Sequence, residues 1–358
     1  MIISSKNSEK NYEKSWELLK IWSSNEQDYL NLGKSLIELK ELDFALDILH
    51  EMMTMTKNHK MIEKCVFQVG RIYEIISTES TNILPLSGFF RDNPFFTSPF
   101  LRITDSSKAL LKAIDIYDSL STANQSPHAQ FRLAEIQFRV FADLDKAEIL
   151  YRDALKGFTR QEEKTDCILR IADVFKARGD LVSVEELLAE KKRSISSRND
   201  LNRLEIVSGQ LMMYRGELDT LNEHVREIMS WLKSTDSEFN DLLDVISLNL
   251  AFHKKHELYL KFGTAQFLLQ QNKRTEALNI LENLTEIDKP VIGELVQYQV
   301  AYIHFLQQDF QIALESAQVL SGETIYSELA HILQAEIVDF IYELLQANCI
   351  LTIIRRFQ

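Results

Sequence analysis

Glycine and proline are scarce in this chain: ten and five among 358 residues, where ordinary proteins carry roughly 7% and 5%. These residues punctuate strands and tight turns, so their scarcity argues against an all-β architecture and predicts a mostly helical one. Cysteine is rarer still. Cys65, Cys167 and Cys349 are an odd, scattered set with no CxxC pair, which suggests neither a disulfide framework nor a zinc site and fits a reducing compartment. Positive charge is in deficit, with a formal net charge of −13, which disfavours a nucleic-acid surface built from clustered Lys and Arg. The densest basic run, Lys191-Lys192-Arg193 followed by Arg198 and Arg203, falls at an expected helix end, where it complements the negative end of the helix dipole.

The motifs of common catalysis are missing as well: no phosphate loop, dinucleotide fingerprint, Gly-x-Ser-x-Gly elbow or His-Glu-x-x-His. His253, His256 and Glu257 come nearest to a metal set, but a zinc site wants three or four fixed ligands, and a solvated helix end is the simpler expectation. No catalytic residue, cofactor or metal is therefore expected. The opening MIISSKNSEKNYEK has no apolar core of signal-peptide length, and no apolar run approaches a membrane span. A cytoplasmic location is expected, or a periplasmic one if an export signal precedes Met1.

What the chain does have is repetition. In Ala129 to Phe158, apolar residues at Phe131, Ala134 and Phe138 precede a break at Asp143-Leu144-Asp145, and Ala147, Tyr151, Ala154 and Leu155 follow it. Both runs have helical spacing, so two short amphipathic helices joined by a tight turn are predicted. Tyr29, Leu32, Gly33 and Leu36, then Ala45, Leu49 and Met52, repeat the layout. The second-helix marker recurs at Ala113, Ala147, Val184, Leu221, Ala277, Ala313 and Ala347, at intervals of 34, 37, 37, 56, 36 and 34. Gly33 lies twelve residues before Ala45, as Gly209 does before Leu221, and small residues are expected to face each other where the helices cross. Glu135 stands where the third copy should have a small residue. Gly179-Asp180-Leu181, Gly216-Glu217-Leu218 and Gln308-Asp309-Phe310 fall between paired helices, where Gly suits a left-handed helix end.

This pattern resembles the tetratricopeptide repeat, with its period of about 34 residues. The resemblance implies an all-α, right-handed superhelical solenoid of antiparallel helix pairs, here about seven to eight repeats. The interval of 56 contains DLLDVISLNLAFHKK, Asp241 to Lys255, which reads as an additional helix. Two arrays are expected on either side of it: residues 1–235, and an offset array over 236–358.

One hairpin is interrupted. Val66 to Ile76 supplies a first helix with Val69, Gly70 and Tyr73 in place, yet its partner resumes only at SSKALLKAIDIYDSL with Ala113, Tyr117 and Leu120. Between them Pro85, Gly88, Pro94 and Pro99 forbid a continuous helix. An insertion over 78–104 is the reading, about 31 residues beyond the family period. It carries Phe89, Phe90, Phe95, Phe96 and Phe100. Burying each Phe is worth roughly 1.5–3 kcal/mol, so the insertion is expected to dock, either on its own solenoid or on a partner.

The resemblance further implies an inner surface lined by first helices that binds partner polypeptide segments. Carried over by position, it would include Lys34, Phe67, Arg71, Arg132, Ile136, Arg139 and Lys176. Basic groups recurring inside an acidic chain predict a partner segment with acidic and apolar residues. A non-enzymatic protein-binding scaffold is the expected function. The alternatives are an envelope-associated repeat protein resembling outer-membrane assembly lipoproteins, and a regulatory or catalytic subunit gated by the aromatic insertion. The closing QANCILTIIRRFQ leaves few polar positions for a terminal helix, which predicts docking back, contact with a second copy, or continuation of the chain.

Overall fold

The computed structural model describes residues 14–19, 21, 25–79, 100–101, 106–284, 290–322 and 324–357. The fold is all-α. Helices α1 (Glu26–Glu38), α2 (Leu42–Met55) and α3 (His59–Ser77) are followed by the two-residue strands β1 (Thr78–Glu79) and β2 (Phe100–Leu101), then by α4 (Ser106–Asn124) and α5 (Pro127–Arg139). The chain continues through α6 (Leu144–Gly157), α7 (Gln161–Arg178), α8 (Leu181–Lys192), α9 (Arg198–Tyr214), α10 (Leu218–Met229) and α11 (Ser237–Ala251). It ends with α12 (His256–Gln270), α13 (Arg274–Glu282), α14 (Pro290–Leu306), α15 (Phe310–Gln318) and the long α16 (Ile325–Phe357).

A single backbone device makes six of the hairpins. Lys40, Ala142, Gly179, Gly216, Asn272 and Gln308 all have left-handed backbone, with φ between 51° and 82°. Each precedes the second-helix marker by five residues: Ala45, Ala147, Val184, Leu221, Ala277 and Ala313. At Gly179 the amide donates to the Lys176 carbonyl at 3.0 Å, and the Asp180 amide reaches back to Phe175 at 2.9 Å. The same pair of bonds recurs at Gly216, Asn272 and Gln308. These bonds satisfy carbonyls orphaned at the end of the first helix and reverse the chain within a few residues. Asp143 and Asp180 then cap the second helices through the amides of Lys146 and Ser183 at 3.1 and 3.0 Å, and Asn25 caps α1 through Gln27.

The described residues fall into two compact units, one made of those up to Glu79 with Phe100 to Ala134, the other beginning at Glu135. In the first, α1 packs on α2, α2 on α3, and α3 on α4. Trp16 is buried edge-on against Tyr29, with its indole nitrogen 2.8 Å from Glu51. Helices α3 and α4 pack directly on each other, although 28 residues, 78–105, separate them in the sequence. Antiparallel pairing of Thr78 with Leu101 and of Glu79 with Phe100 closes the base of that span. Phe89, Phe90, Phe95 and Phe96, and the side chain of Phe100, lie outside the described residues.

In the second unit, α7/α8, α9/α10, α12/α13 and α14/α15 are successive pairs. The expected extra helix is α11, four residues earlier than predicted. It packs on α10 and α14, while α12 reaches across the sequence interval to lie on α9 and also touches α7. The close approach of α12 needs Gly263, where an added Cβ would fall 2.0 Å from the Met213 carbonyl oxygen. The second compact unit begins at Glu135, and within it α12 packs on α9 although residues 215–255 lie between them. Interval length marks an inserted helix and says nothing of whether the flanking helices still meet.

The small first-helix residues also differ from expectation. Gly33 faces Leu49, not Ala45, and a Cβ there would meet Leu49 Cδ2 at 3.0 Å. Gly70 faces Tyr117, with 2.7 Å to Cε1. Leu49 and Tyr117 each lie four residues past the marker, because the marker packs at the crossing while the residue one turn later reaches over it.

Two substitutions test this backbone reading. Gly263→Ala forces α12 away from α9 and should lower stability by about 1–3 kcal/mol, the usual overpacking cost. Gln308→Gly relieves a left-handed residue and should raise stability by about 0.5–1 kcal/mol. Urea unfolding followed by helical circular dichroism reads both.

Candidate interaction surface

First helices carry polar side chains along the seams where they meet their neighbours. In the first unit, the Glu74 carboxylate is buried and accepts from the Tyr117 hydroxyl at 2.8 Å and from Arg132 Nε at 3.0 Å. Arg132 Nη2 engages its other oxygen. Gly70 makes this possible: without a side chain there, the Tyr117 ring passes over the α3 backbone and its hydroxyl reaches Glu74 one turn later.

The third hairpin solves the same problem differently. Glu135, the departure from the small residue, accepts the Tyr151 hydroxyl at 2.5 Å. It also meets Arg139 Nε at 2.9 Å and Arg170 Nε at 3.1 Å. Arg170 continues to Asp173 at 2.8 Å, Asp173 to Lys176 at 2.7 Å, and Lys176 to Gln210 Oε1 at 3.1 Å. One charged chain thus ties α5, α7 and α9 together. Further along, Gln266 and Gln299 exchange amide hydrogen bonds at 2.8 and 3.2 Å, both side chains buried, joining α12 to α14.

Outside these seams, neighbouring pairs are gripped by arginines. Arg178 binds Asp145 at 2.7 Å and also engages Glu148, Arg215 binds Glu185, and Arg203 meets Asp166 at 2.6 Å. The arginines Arg178 and Arg152 together hold the Glu148 carboxyl below its usual range despite partial burial, which opposes them. In the basic run, Lys192 bonds Glu205 and Ser208, and Arg198 lies 3.7 Å over the half-exposed Trp231 ring. Trp231, two residues past the end of α10, is a surface platform for the Arg198 guanidinium.

The expected groove residues separate into three kinds. Lys34 is exposed on α1, and Phe67 and Arg71 are half-buried on α3, Phe67 packing 5.7 Å from Tyr117 and 5.8 Å from His128. Arg132 and Arg139 are half-buried and held by carboxylates. Ile136 and Lys176 are buried, Lys176 to 0% exposure, so neither presents a surface to a partner. The cause is local: where first helices pack tightly enough to touch beyond the adjacent pair, their inward positions serve each other. Glu135, Arg170, Asp173 and Gln210 belong to this seam and were not expected from the sequence, since charge on a helix face has the same appearance whether solvated or paired.

Among the described residues, no group of three His, Cys, Asp or Glu side chains could hold a metal ion, and no helix is long and apolar enough to cross a membrane. Cys65 and Cys167 are buried, and burial pushes their thiols up to about 11 and about 12, which leaves them inert.

No protein-family model matches the sequence, and no curated protein matches it. Among solved structures, the chain is similar to a tetratricopeptide repeat protein from Parabacteroides merdae, with 11% identity, 86% of this chain and 98% of that one covered, and a TM-score of 0.40. It is similar also to the apo form of RapI, with 13% identity, coverage of 90% and 86%, and a TM-score of 0.39. The P58(IPK) TPR domain shares 11% identity over 89% and 98%, with a TM-score of 0.29. The turn geometry and hairpin packing above carry the fold assignment: this chain is an all-α array of tetratricopeptide-like helix hairpins.

Lys176→Met removes the ammonium that donates to the buried Gln210 oxygen and one of the two cations on Asp173. Stability should fall by about 2–3 kcal/mol, read by urea unfolding; a Lys176 that faced a partner would leave stability unchanged. A second expectation concerns alkali. Burial, reinforced by Glu74 and Glu135, pushes the Tyr117 and Tyr151 hydroxyls far up, and burial raises Tyr259 and Tyr298 and takes Tyr326 to about 12. Raised folded values mean stabilisation that is complete below the unfolded value near 10 and is lost as pH climbs past it. Phenolate absorbance for these tyrosines should therefore appear together with loss of helical circular dichroism.

Proposed function

We propose that the chain is a non-catalytic scaffold that binds a segment of a partner polypeptide, on the first-helix faces of the first unit. The observation that supports this reading is the contrast between the units. Inward positions of the second unit are consumed by their own ion pairs and amide pairs, whereas in the first unit Lys34 is exposed and Phe67 and Arg71 keep part of their surface in water. Lys34 and Arg71 occupy the same position in successive repeats, each one residue past the small residue, Gly33 or Gly70.

A partner that suits them is extended or helical, with acidic groups for Lys34 and Arg71 and an apolar residue for Phe67. Complementary charge would steer its approach and select it over basic competitors. The phenylalanine-rich insertion leaves α3 four residues past Glu74 and returns next to α4, so it belongs to the hairpin that carries Phe67 and Arg71. In this reading Phe95, Phe96 and Phe100 add apolar contact to the same partner. Catalysis has no support in the seam polar groups, which are engaged with one another.

Selection from a random peptide library displayed on phage tests the proposal, with the intact chain immobilised. Enriched peptides should combine acidic and apolar residues. Lys34→Glu with Arg71→Glu should weaken them at least ten-fold, and Phe95→Ala, Phe96→Ala and Phe100→Ala together should weaken them with unchanged melting temperature. Enrichment of basic peptides, or indifference to the charge reversals, would reject the reading.

A further inference from the structure

Arg198 stands where a cation is unfavourable. It is the first residue of α9, at the positive end of the helix dipole, which favours carboxylates and repels guanidinium groups. The exposed cations nearest to it in the fold obey the dipole: Arg193 directly follows α8, and Lys233 lies just beyond α10. Both stand at negative helix ends. Arg198 does not, so something other than its own helix holds it there.

That something is Trp231. The Arg198 guanidinium lies 3.7 Å over the indole ring, within the range of cation–π attraction and planar stacking. The contact joins the start of α9 to the end of α10, and the connection 194–197 brings the end of α8 to the same place. Trp231 keeps 39% of its surface in water, although aromatic rings supply the largest apolar areas a core can bury. The pair is a feature of the surface.

The charges around it divide into two sets. Lys191 and Lys192 are taken by Glu190 and Glu205, and Arg203 by Asp166, each at 2.6 Å. Arg193, Arg198 and Lys233 are exposed, and among the described residues no carboxylate pairs with any of them. Asp236, the acidic residue nearest Lys233 in sequence, turns to the Lys233 backbone amide at 2.8 Å. In a chain with 53 acidic and 40 basic residues, these three cations at one end of the second unit reverse the overall sign locally. Stacking also prepares Arg198 to bind. A guanidinium held flat on a ring has already lost rotamer freedom that binding would cost, and its edge keeps the forked N–H donors that match a carboxylate.

We propose that this end of the second unit binds an acidic segment of a partner polypeptide, a run of Asp and Glu residues. Arg198 holds one carboxylate bidentately, and neighbouring carboxylates of the run are drawn to Arg193 and Lys233. None of these residues belongs to the first-unit face, and the segment needs no apolar residue. A nucleic acid suits the surface less, because its phosphates continue beyond three cations across a chain of net charge −13.

Fluorescence anisotropy of fluorescein-labelled oligo-glutamate, titrated with the full chain, should show saturable binding that weakens as sodium chloride is raised. Arg198→Ala should weaken it about ten-fold or more, and Arg198→Lys should recover only part of the loss, since a point charge lacks the fork. Trp231→Ala keeps every charge and should still weaken binding several-fold. Lys273→Ala is the matched loss of one exposed cation: it adjoins α12 where Gln271 lies against Gly179, at the opposite end of α8 from Arg193. It should change the affinity less than about two-fold, with helical circular dichroism unchanged in all variants. Absence of saturable binding, or equal losses in Arg198→Ala and Lys273→Ala, overturns the proposal. So does a loss in Lys34→Glu with Arg71→Glu but none in Arg198→Ala, which assigns the peptide to the first unit. Tighter binding of labelled oligo-thymidylate through Arg198 overturns it in favour of nucleic acid.

Discussion

The structure depends on a turn that gives up one residue to the left-handed region so that a helix can reverse within a few positions. Once the turn is fixed, the marker five residues on must lie at the helix crossing, and the residue a turn later must lie over the first helix. Everything that follows is a response to what sits there. Gly33 admits the Leu49 methyls and Glu135 takes the Tyr151 hydroxyl directly, and in the α3/α4 pair, joined by the insertion, Gly70 likewise lets the Tyr117 ring pass to Glu74. Only two of the six turns with this geometry use glycine. The others accept about 1–2 kcal/mol of left-handed strain, which the paired carbonyl bonds and packing of the hairpin offset.

Stacked hairpins of this kind commonly touch only their nearest neighbours. In the second unit the helices depart from that rule, with α12 reaching α7 and α11 connecting α10 to α14. Close packing removes inward positions from water, and polar residues there are stable only if they satisfy each other. The chain from Arg139 to Gln210 and the Gln266–Gln299 pair are that satisfaction. They also fix the register between helices, since a shift of one residue would strand several buried charges at once. The same packing buries Ile136 and Lys176, whereas Lys34 of the first unit stays exposed.

Much of this was legible in the sequence. The period of the marker, the scarcity of glycine and proline, and the break between Val66–Ile76 and its partner gave the helices, the hairpins and the split pair, because local spacing decides which residues can share a helix face. The site was less legible. Lys34, Arg71 and Lys176 have similar surroundings in sequence, yet one is exposed, one half-buried and one wholly buried. Charge on a helix records that a polar partner is needed, whether water or another residue.

By itself, then, the sequence determined the element types, the turns and the place of the insertion, all properties of residues within about a turn of one another. Tertiary structure alone decided that the packing crosses the 56-residue interval and that Gly263 lets α12 lie on the α9 backbone. It alone turned a row of inward charges into a closed seam. Those outcomes depend on which helices meet across long separations, and that is set by the summed packing of many side chains, not by the spacing of any one segment.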